Sequence, residues 1–285
     1  MLADFEVIKN VFKRNEASGR PSMIPFRDIR SGYWLLDEEN SGNMPGIAFS
    51  QGKFCSQQKR FTSRALKELG LLRKPMESII QMEVEKFCTE LARFEGKPFK
   101  IHGRINISIL NTLWHTLVGE TLDLDNPRLL TIVNLLDKYS TNKDVSGALA
   151  SMFPFPEMIR WPPFYRALGL NLPGIKNHWN QMKLFVEEYV INHQSSFDKN
   201  NIRDFLDLYL DEIQKHRLEP NSSFYRERGY YMLINVLIDL FFAGMETTSS
   251  TITWTILLLL HHPNIKEKVI KEIDQVMKML IQNIK

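Results

Sequence analysis

The sequence is dominated by one apolar stretch, which runs without a proline from about residue 226 to residue 260. At 1.5 Å per residue, this stretch predicts a single helix on the order of 50 Å long. Its apolar part is interrupted by Asp239, Gly244 and Glu246, and charged groups are costly in hydrocarbon. The uninterrupted part, Ile256 to Leu260, is far too short to cross a bilayer. We therefore expect a central core helix rather than a membrane span.

Helical periodicity also prevails on both sides of this stretch. Capping signals and amphipathic spacing predict further helices over residues 4–14, 54–72, 75–94, 105–118, 126–139, 177–197, 202–215 and 265–284. Residues 18–50 are rich in turn-forming residues and predict a long loop region. Residues 151–174 are rich in proline and aromatic residues and predict a packed, non-helical crossing. The predicted fold is therefore mostly α, in a single domain.

The composition excludes several classes of protein. Hydrophobic residues make up 44% and charged residues 24%, which is typical of a globular chain and not of a disordered one. The two cysteines, Cys55 and Cys88, are too few for a disulfide scaffold or a four-cysteine zinc site. A net charge of +3 is too balanced to indicate a nucleic-acid partner. His261 and His262 are adjacent and lack the four-residue spacing of a metal-binding pair, so we predict no metal ligands.

Small residues form a groove midway along the long helix. Ala243, Gly244, Thr247 and Thr251 have the spacing of one helix face, where a flat ligand could approach the backbone closely. The alternative is that Gly244 only allows another helix to pack closely. The spacing alone leaves both interpretations open.

An acid and an alcohol stand next to each other beside this groove. Glu246 lies in an otherwise apolar helix, where an unpaired charge is costly, so it requires a partner or a chemical role. Thr247 can donate a hydrogen bond back to the carbonyl of residue 243 or 244. Together Glu246 and Thr247 form a plausible proton-delivery pair. The alternative is that Glu246 simply faces water.

The segment from Ala243 to Thr248 resembles the oxygen-activation motif of the cytochrome P450 family. That motif reads Ala or Gly, Gly, any residue, Asp or Glu, Thr, and Thr or Ser, and it lies midway along the family's longest helix. Five other segments resemble the family in the same order: Ser18–Pro21, Gly46–Gly52, Lys59–Phe61, Arg203–Asp207 and His261–Val269. The resemblance covers essentially the whole chain and is to the animal microsomal branch. It implies a partial cytochrome P450 fold built around one long central helix.

The resemblance also implies an activity. It is that of a heme-thiolate monooxygenase, which inserts one oxygen atom of O2 into an apolar small molecule with electrons from NADPH through a reductase. Glu246 would relay protons, and Thr247 would hold the hydrogen-bond network around dioxygen. Ala243 and Gly244 would lie over the heme, and Lys59 would contact a heme propionate. The reductase would face the basic residues of the helix at 54–72, which are Lys53, Lys59, Arg60, Arg64 and Lys67.

The sequence also departs from the family pattern. Cys55 and Lys59 occupy the places of a tryptophan and a propionate-binding arginine, and Asn43 that of a second such arginine. Neither Cys55 nor Cys88 lies in the family's heme-binding loop, and the Glu-x-x-Arg helix that buttresses the heme is not found. The alternative to a monooxygenase is thus a non-catalytic truncated fragment, or a gene-model remnant without stable heme binding.

These departures define the expected domain. It is a single partial cytochrome P450 domain over residues 1–285, without the amino-terminal anchor and the carboxyl-terminal heme-thiolate region, and inactive alone. For the family, the resemblance implies the cytoplasmic face of the endoplasmic reticulum membrane, reached through that anchor.

Overall fold

The computed structural model describes residues 3–14, 17, 19, 30, 44–71, 73–121, 126–141, 161–167 and 171–283. These residues form ten helices and no strand, so the mostly-α prediction is confirmed for them. The helices are α1 (Phe5–Phe12), α2 (Gly52–Glu68), α3 (Lys74–Ala92), α4 (His102–Val118), α5 (Pro127–Thr141), α6 (Pro162–Ala167), α7 (Leu172–Ser196), α8 (Phe205–Lys215), α9 (Arg226–His261) and α10 (Pro263–Asn283).

Several helix ends differ from the sequence prediction by two to four residues, and the larger differences lie between residues 151 and 177. Helix α7 begins at Leu172 rather than near residue 177, because Pro173 is tolerated in the first turn, where its missing N–H has no helical partner. The Asn171 side chain caps this turn by accepting a hydrogen bond from Gly174 N at 3.1 Å. The non-helical prediction for residues 151–174 is also wrong at α6, which opens on two prolines. Residues 151–160 and 168–170 lie outside the described residues.

Helices α4 and α9 form the centre of the fold and run antiparallel. Trp114 near the end of α4 stacks on Phe241 of α9, with ring centroids 4.9 Å apart. At the other end, His102 of α4 lies beside Thr253, twelve residues further along α9. Apolar residues of both helices are buried along this contact, so the two helices form the rigid frame for the residues between these ends.

Aromatic residues attach the surrounding helices to this frame. On one side, Tyr189 of α7 meets the Trp114 ring edge-on, with centroids 4.6 Å apart. On the other, Phe61 of α2 contacts Tyr209 of α8 and Phe224 in the turn before α9, at 5.2 and 5.1 Å. These rings belong to one continuous core, which fixes α2, α7 and α8 around α9.

Helix α9 changes environment along its length. From Met232 to Phe241 it is almost wholly buried, whereas beyond Ser249 its large apolar residues are exposed to solvent, with Trp254 at 59%. The helix is long and apolar enough to cross a membrane, but 61% of its most apolar window is buried against the rest of the protein. A core helix of a globular protein has this character, as the sequence predicts. The residues of the motif lie where burial gives way to exposure.

Candidate functional site

Hydroxyl groups form a regular row on the exposed face of α9. Thr247 Oγ1 donates to the carbonyl of Ala243 at 2.6 Å, as expected from the sequence. Thr251 donates in the same way to the carbonyl of Thr247 at 2.7 Å, and Thr255 to that of Thr251 at 2.8 Å. All four residues are exposed. We call this set the hydroxyl row, and it offers a flat, small-residue surface beside the motif.

Gly244 belongs to the neighbouring row, which faces α4. A Cβ atom at Gly244 would come within 2.7 Å of Leu113 Cδ1, so the glycine allows α4 and α9 to approach closely. This contact supports the packing alternative for Gly244.

A cavity of about 480 Å3 opens on the same side, between α3, α4 and α9. Its mainly apolar lining comprises Met76, Ile80, Glu83, Val84, Phe87, Ile105, Ser108, Ile109, Thr112, Leu113, Gly244, Thr248, Ile252 and Ile256.

Glu246 lies in a third row, which faces the start of α4. Its Oε1 accepts a hydrogen bond from Ser250 Oγ at 3.1 Å and lies 4.0 Å from His102 Nε2. Its Oε2 is buried and has no hydrogen-bond partner among the described residues. The Glu246 side chain is 18% exposed, so it does not simply face water. Thr247, the next residue, points to the exposed side instead, so the acid and the alcohol lie on different sides of α9.

Asp239 holds the segment before α2 against α9. Its Oδ1 pairs with Arg30 Nη2 at 2.7 Å, and its Oδ2 accepts from the amides of Ile47 and Ala48 at 2.7 and 3.0 Å. Tyr231 donates to the Arg30 carbonyl at 2.5 Å, and burial raises the pKa of Tyr231 to about 12. Because both charges are buried and paired, this cluster holds the segment before α2 against α9, one turn before the motif.

A second charged cluster joins α7 to α8 and looks like a metal site at first sight. Ligand atoms of His193, Asp204 and Asp207 lie within 4.8 Å of one another. However, His193 Nδ1 faces the Tyr189 carbonyl and its Nε2 faces Asp204 Oδ2, both at 2.9 Å. Because both partners accept hydrogen bonds, the doubly protonated ring satisfies both of them, and in that state it has no lone pair for a metal. Arg203 engages both oxygens of Asp207, so the cluster is an ion-pair network.

The remaining candidates lie on α2 and α3. Lys59 is exposed on α2 and makes no ion pair with another described residue. Cys55 on the same helix is buried, with its Sγ 3.9 Å from the Ile47 carbonyl, and Cys88 on α3 is exposed. Asn43 and most of residues 18–50 lie outside the described part of the chain. Lys59 is thus available to bind an anion, whereas Cys55 is enclosed by protein.

The structure brings together residues that the sequence could not connect. Sequence reasoning identified the acid, the alcohol and the small residues of α9, because they follow one another on one helix. It missed His102 as a neighbour of Glu246, since the two are separated by most of the chain. It noted Asp239 only as an interruption of the apolar run and missed Arg30 as its partner. A charged residue in a buried helix signals that a partner exists but does not identify it.

Comparisons with known proteins show the family to which this sequence is similar. The model of the family described as Cytochrome P450 matches residues 1–284. The chain is 32% identical over 255 residues to cytochrome P450 2J2 of Homo sapiens, covering 84% of this chain and 48% of that protein. It is 28% identical to cytochrome P450 2L1 of Panulirus argus, covering 96% and 52% of the two chains. It is 28% identical to cytochrome P450 18a1 of Drosophila melanogaster, covering 97% of this chain and 49% of that protein. The chain spans about half the length of these curated relatives.

Proposed function

The chain belongs to the cytochrome P450 family, and from this we propose that it provides the oxygen-activation helix of a heme-thiolate monooxygenase. The observation that carries the proposal is the adjacent pair Glu246 and Thr247 on α9. Thr247 lies on the exposed hydroxyl row, and Glu246 is largely enclosed on the α4 side. The pair can therefore link an enclosed carboxylate to a surface on which oxygen chemistry takes place.

The exposed face of α9 fits a heme. Ala243 is small and exposed, so a flat macrocycle can lie against the backbone there. When bound, a heme supplies the iron-centred redox chemistry that activates dioxygen. Lys59 is exposed and without an ion pair among the described residues, so its ammonium can neutralise a propionate. It would do so as a point charge rather than through the two-pronged contact of an arginine.

The axial thiolate does not fit either cysteine of this chain. Cys55 is buried beside the Ile47 carbonyl, and Cys88 is exposed on α3. The proposal therefore places the axial cysteine outside these 285 residues. The same observation favours a second candidate for this chain by itself, namely a helical fragment that neither binds heme stably nor catalyses.

The proposal extends to substrate, partner and location. The substrate is an apolar small molecule, and the electrons come from NADPH through a reductase at the cytoplasmic face of the endoplasmic reticulum membrane. The exposed basic residues of α2 support an acidic docking partner. Among them, Lys53, Lys59, Arg60 and Lys67 are exposed, and Arg64 is already paired with Glu212 at 3.6 Å.

Two variants of the heme-loaded, full-length protein test the proposal. Glu246→Gln removes the acid and Thr247→Val removes the hydroxyl, and neither changes the shape of the helix greatly. We expect each to lower the fraction of NADPH electrons recovered in product by roughly tenfold or more. Thr255→Val is the matched control, since it removes the same kind of hydroxyl from the same row. Unchanged recovery in both test variants would reject the role of the pair.

A further inference from the structure

We propose that His102 is the group that exchanges the Glu246 proton with solvent. The inference rests on the proposed function and adds a residue from a different helix. His102 is the first residue of α4, and its side chain is 36% exposed, twice the exposed fraction of Glu246. Its Nε2 lies 4.0 Å from Glu246 Oε1. The imidazole thus stands between bulk water and the enclosed carboxylate.

The hydrogen bonds of the ring determine which nitrogen can exchange a proton. Thr253 Oγ1 donates its proton to the Ser249 carbonyl at 2.8 Å, so it can only accept from His102 Nδ1, which lies 3.3 Å away. Nδ1 therefore carries a proton in both the neutral and the charged ring. Nε2 is then the nitrogen that gains and loses a proton, and it is the one that faces Glu246.

Asn106 equips the site for both charge states of the ring. This side chain is 1% exposed, and its Nδ2 lies 3.5 Å from His102 Nε2, where it can donate to the neutral ring. Its Oδ1 is buried and has no hydrogen-bond partner among the described residues. Half a turn of the amide would bring Oδ1 to a protonated Nε2. The amide can thus satisfy the ring in either state.

Glu246 is prepared for the same exchange. Ser250 binds Oε1, and the buried Oε2 has no partner within the described part of the chain, although a buried polar atom is costly to leave unpaired. A carboxyl group that alternates between charge states cannot be fully paired in both. In the transfer, the Nε2–H bond of the imidazolium breaks and an O–H bond forms at Oε1. The products are a neutral imidazole and a carboxylic acid, and nothing is oxidised or reduced.

The ring and the carboxylate must approach for this step. At 4.0 Å the two atoms are about 1 Å beyond hydrogen-bond distance. A side-chain rotation of either residue closes that gap, because among the described residues His102 bonds only to Thr253 and Asn106, and it lies at the start of its helix. His102 acts through Glu246 and is therefore a positioning residue rather than a catalytic one.

The first test needs no catalysis. NMR of the ring nitrogens of the full chain identifies which nitrogen of the neutral His102 ring is protonated. The His102 signals are assigned because they disappear in His102→Gln. In the neutral ring we expect His102 to carry its proton on Nδ1, where it is donated to Thr253 Oγ1. In Thr253→Val this preference should be lost. A proton held on Nε2 in the unmodified chain would overturn the proposal, because that nitrogen could not accept another.

The second test separates this inference from the proposed function. In the heme-loaded, full-length protein, His102→Gln should lower the fraction of NADPH electrons recovered in product roughly tenfold at neutral pH. The double variant with Glu246→Gln should be no worse than Glu246→Gln alone, since both act on one proton path. His115→Gln, at the other end of α4, is the matched control.

The outcomes discriminate clearly. If His102→Gln behaves like His115→Gln while Glu246→Gln still lowers product recovery, the role of His102 is rejected and the proposed function stands. If Glu246→Gln itself has no effect, the proposed function is rejected, and the inference about His102 is rejected with it.

Discussion

Arg30 and Asp239 are joined by a buried 2.7 Å ion pair across 209 positions of the sequence. The guanidinium also lies over the rings of Trp179 and Phe49, with its Cζ 4.6 and 5.2 Å from their centroids. Asp239 also accepts hydrogen bonds from two backbone amides in the segment just before α2. This single carboxylate therefore joins Arg30, that segment and the long helix α9. The position of the motif therefore depends on a contact between two segments that are far apart in the sequence.

Removing this carboxylate should destabilise the protein strongly. Asp239→Ala leaves the Arg30 charge and the amides of Ile47 and Ala48 buried without their acceptor. We expect a loss of about 3–5 kcal/mol in the free energy of unfolding, measured by urea denaturation. Glu272→Ala, an exposed carboxylate on α10, should change it by less than about 0.5 kcal/mol. Equal effects of the two substitutions would contradict a structural role for the pair.

The contribution of His193 to the stability of the fold should decrease as the pH rises above about 6.5. Burial lowers the pKa of His193, but the hydrogen bond and the charge of Asp204 raise it by more, so the net pKa lies above its ordinary value of 6.5. A raised pKa in the folded state means that the stabilisation is complete below about pH 6.5. It is lost as the pH rises through the folded-state pKa of His193.

A substitution at His193 should remove this dependence. His193→Gln keeps one hydrogen-bond donor but cannot be charged, and we expect it to cost about 1.5–3 kcal/mol of unfolding free energy at pH 6. Thermal unfolding followed from pH 6 to pH 9 should show a flatter profile for the variant than for the parent. His178→Gln, half-buried on the same helix, serves as control. A decrease that persists unchanged in His193→Gln would show that another group is responsible.

Side-chain volume at Gly244 should be limited by Leu113. Gly244→Ala gains up to about 1 kcal/mol in helix propensity but presses a methyl group against the flexible end of Leu113, so the net change should be small. Gly244→Val cannot be accommodated in this way and should cost about 1–3 kcal/mol. Gly103→Val, also in a helix but with nothing within 4 Å of an added Cβ, provides the comparison by chemical denaturation. If both valines cost the same, the close approach of α4 is not what requires Gly244.

Heme added to the 285-residue chain should not acquire Cys55 as a thiolate ligand. Cys55 is buried in the packing beside Ile47, so its thiol cannot reach an iron on the exposed face of α9. We expect Cys55→Ser to leave the absorption spectrum of the reduced, carbon monoxide-treated mixture unchanged. A thiolate spectrum that disappears in Cys55→Ser would require a different cofactor geometry.

The sequence predicted the features that depend on neighbouring residues. Helix α9 was predicted almost to the residue, since its periodicity is uninterrupted and Pro263 begins the next helix. Thr247 was predicted to bond to its own helix, because a hydroxyl reaches the carbonyl four residues back in any helix. The early start of α7 was missed, because Pro173 and Gly174 more often indicate a turn.

Contacts between distant segments could not be predicted in this way. Glu246 required a partner, but nothing in its neighbourhood pointed to the first residue of α4. The ion pair of Arg30 with Asp239 depends on how two remote segments pack, and one sequence contains no record of that packing. The roles of Glu246, Thr247, Ala243, Gly244 and Lys59 toward a heme therefore stay predictions.

The hydroxyl row exposes hydrogen-bond acceptors rather than donors. Each of Thr247, Thr251 and Thr255 gives its only hydrogen to a carbonyl of its own helix, so the outer side of each oxygen presents lone pairs alone. A molecule resting on this face can donate hydrogen bonds to it but receives none unless a threonine releases the helix. The row thus favours molecules that bring their own hydrogen-bond donors, and its hydroxyls release no proton to this surface while they remain bonded to the helix.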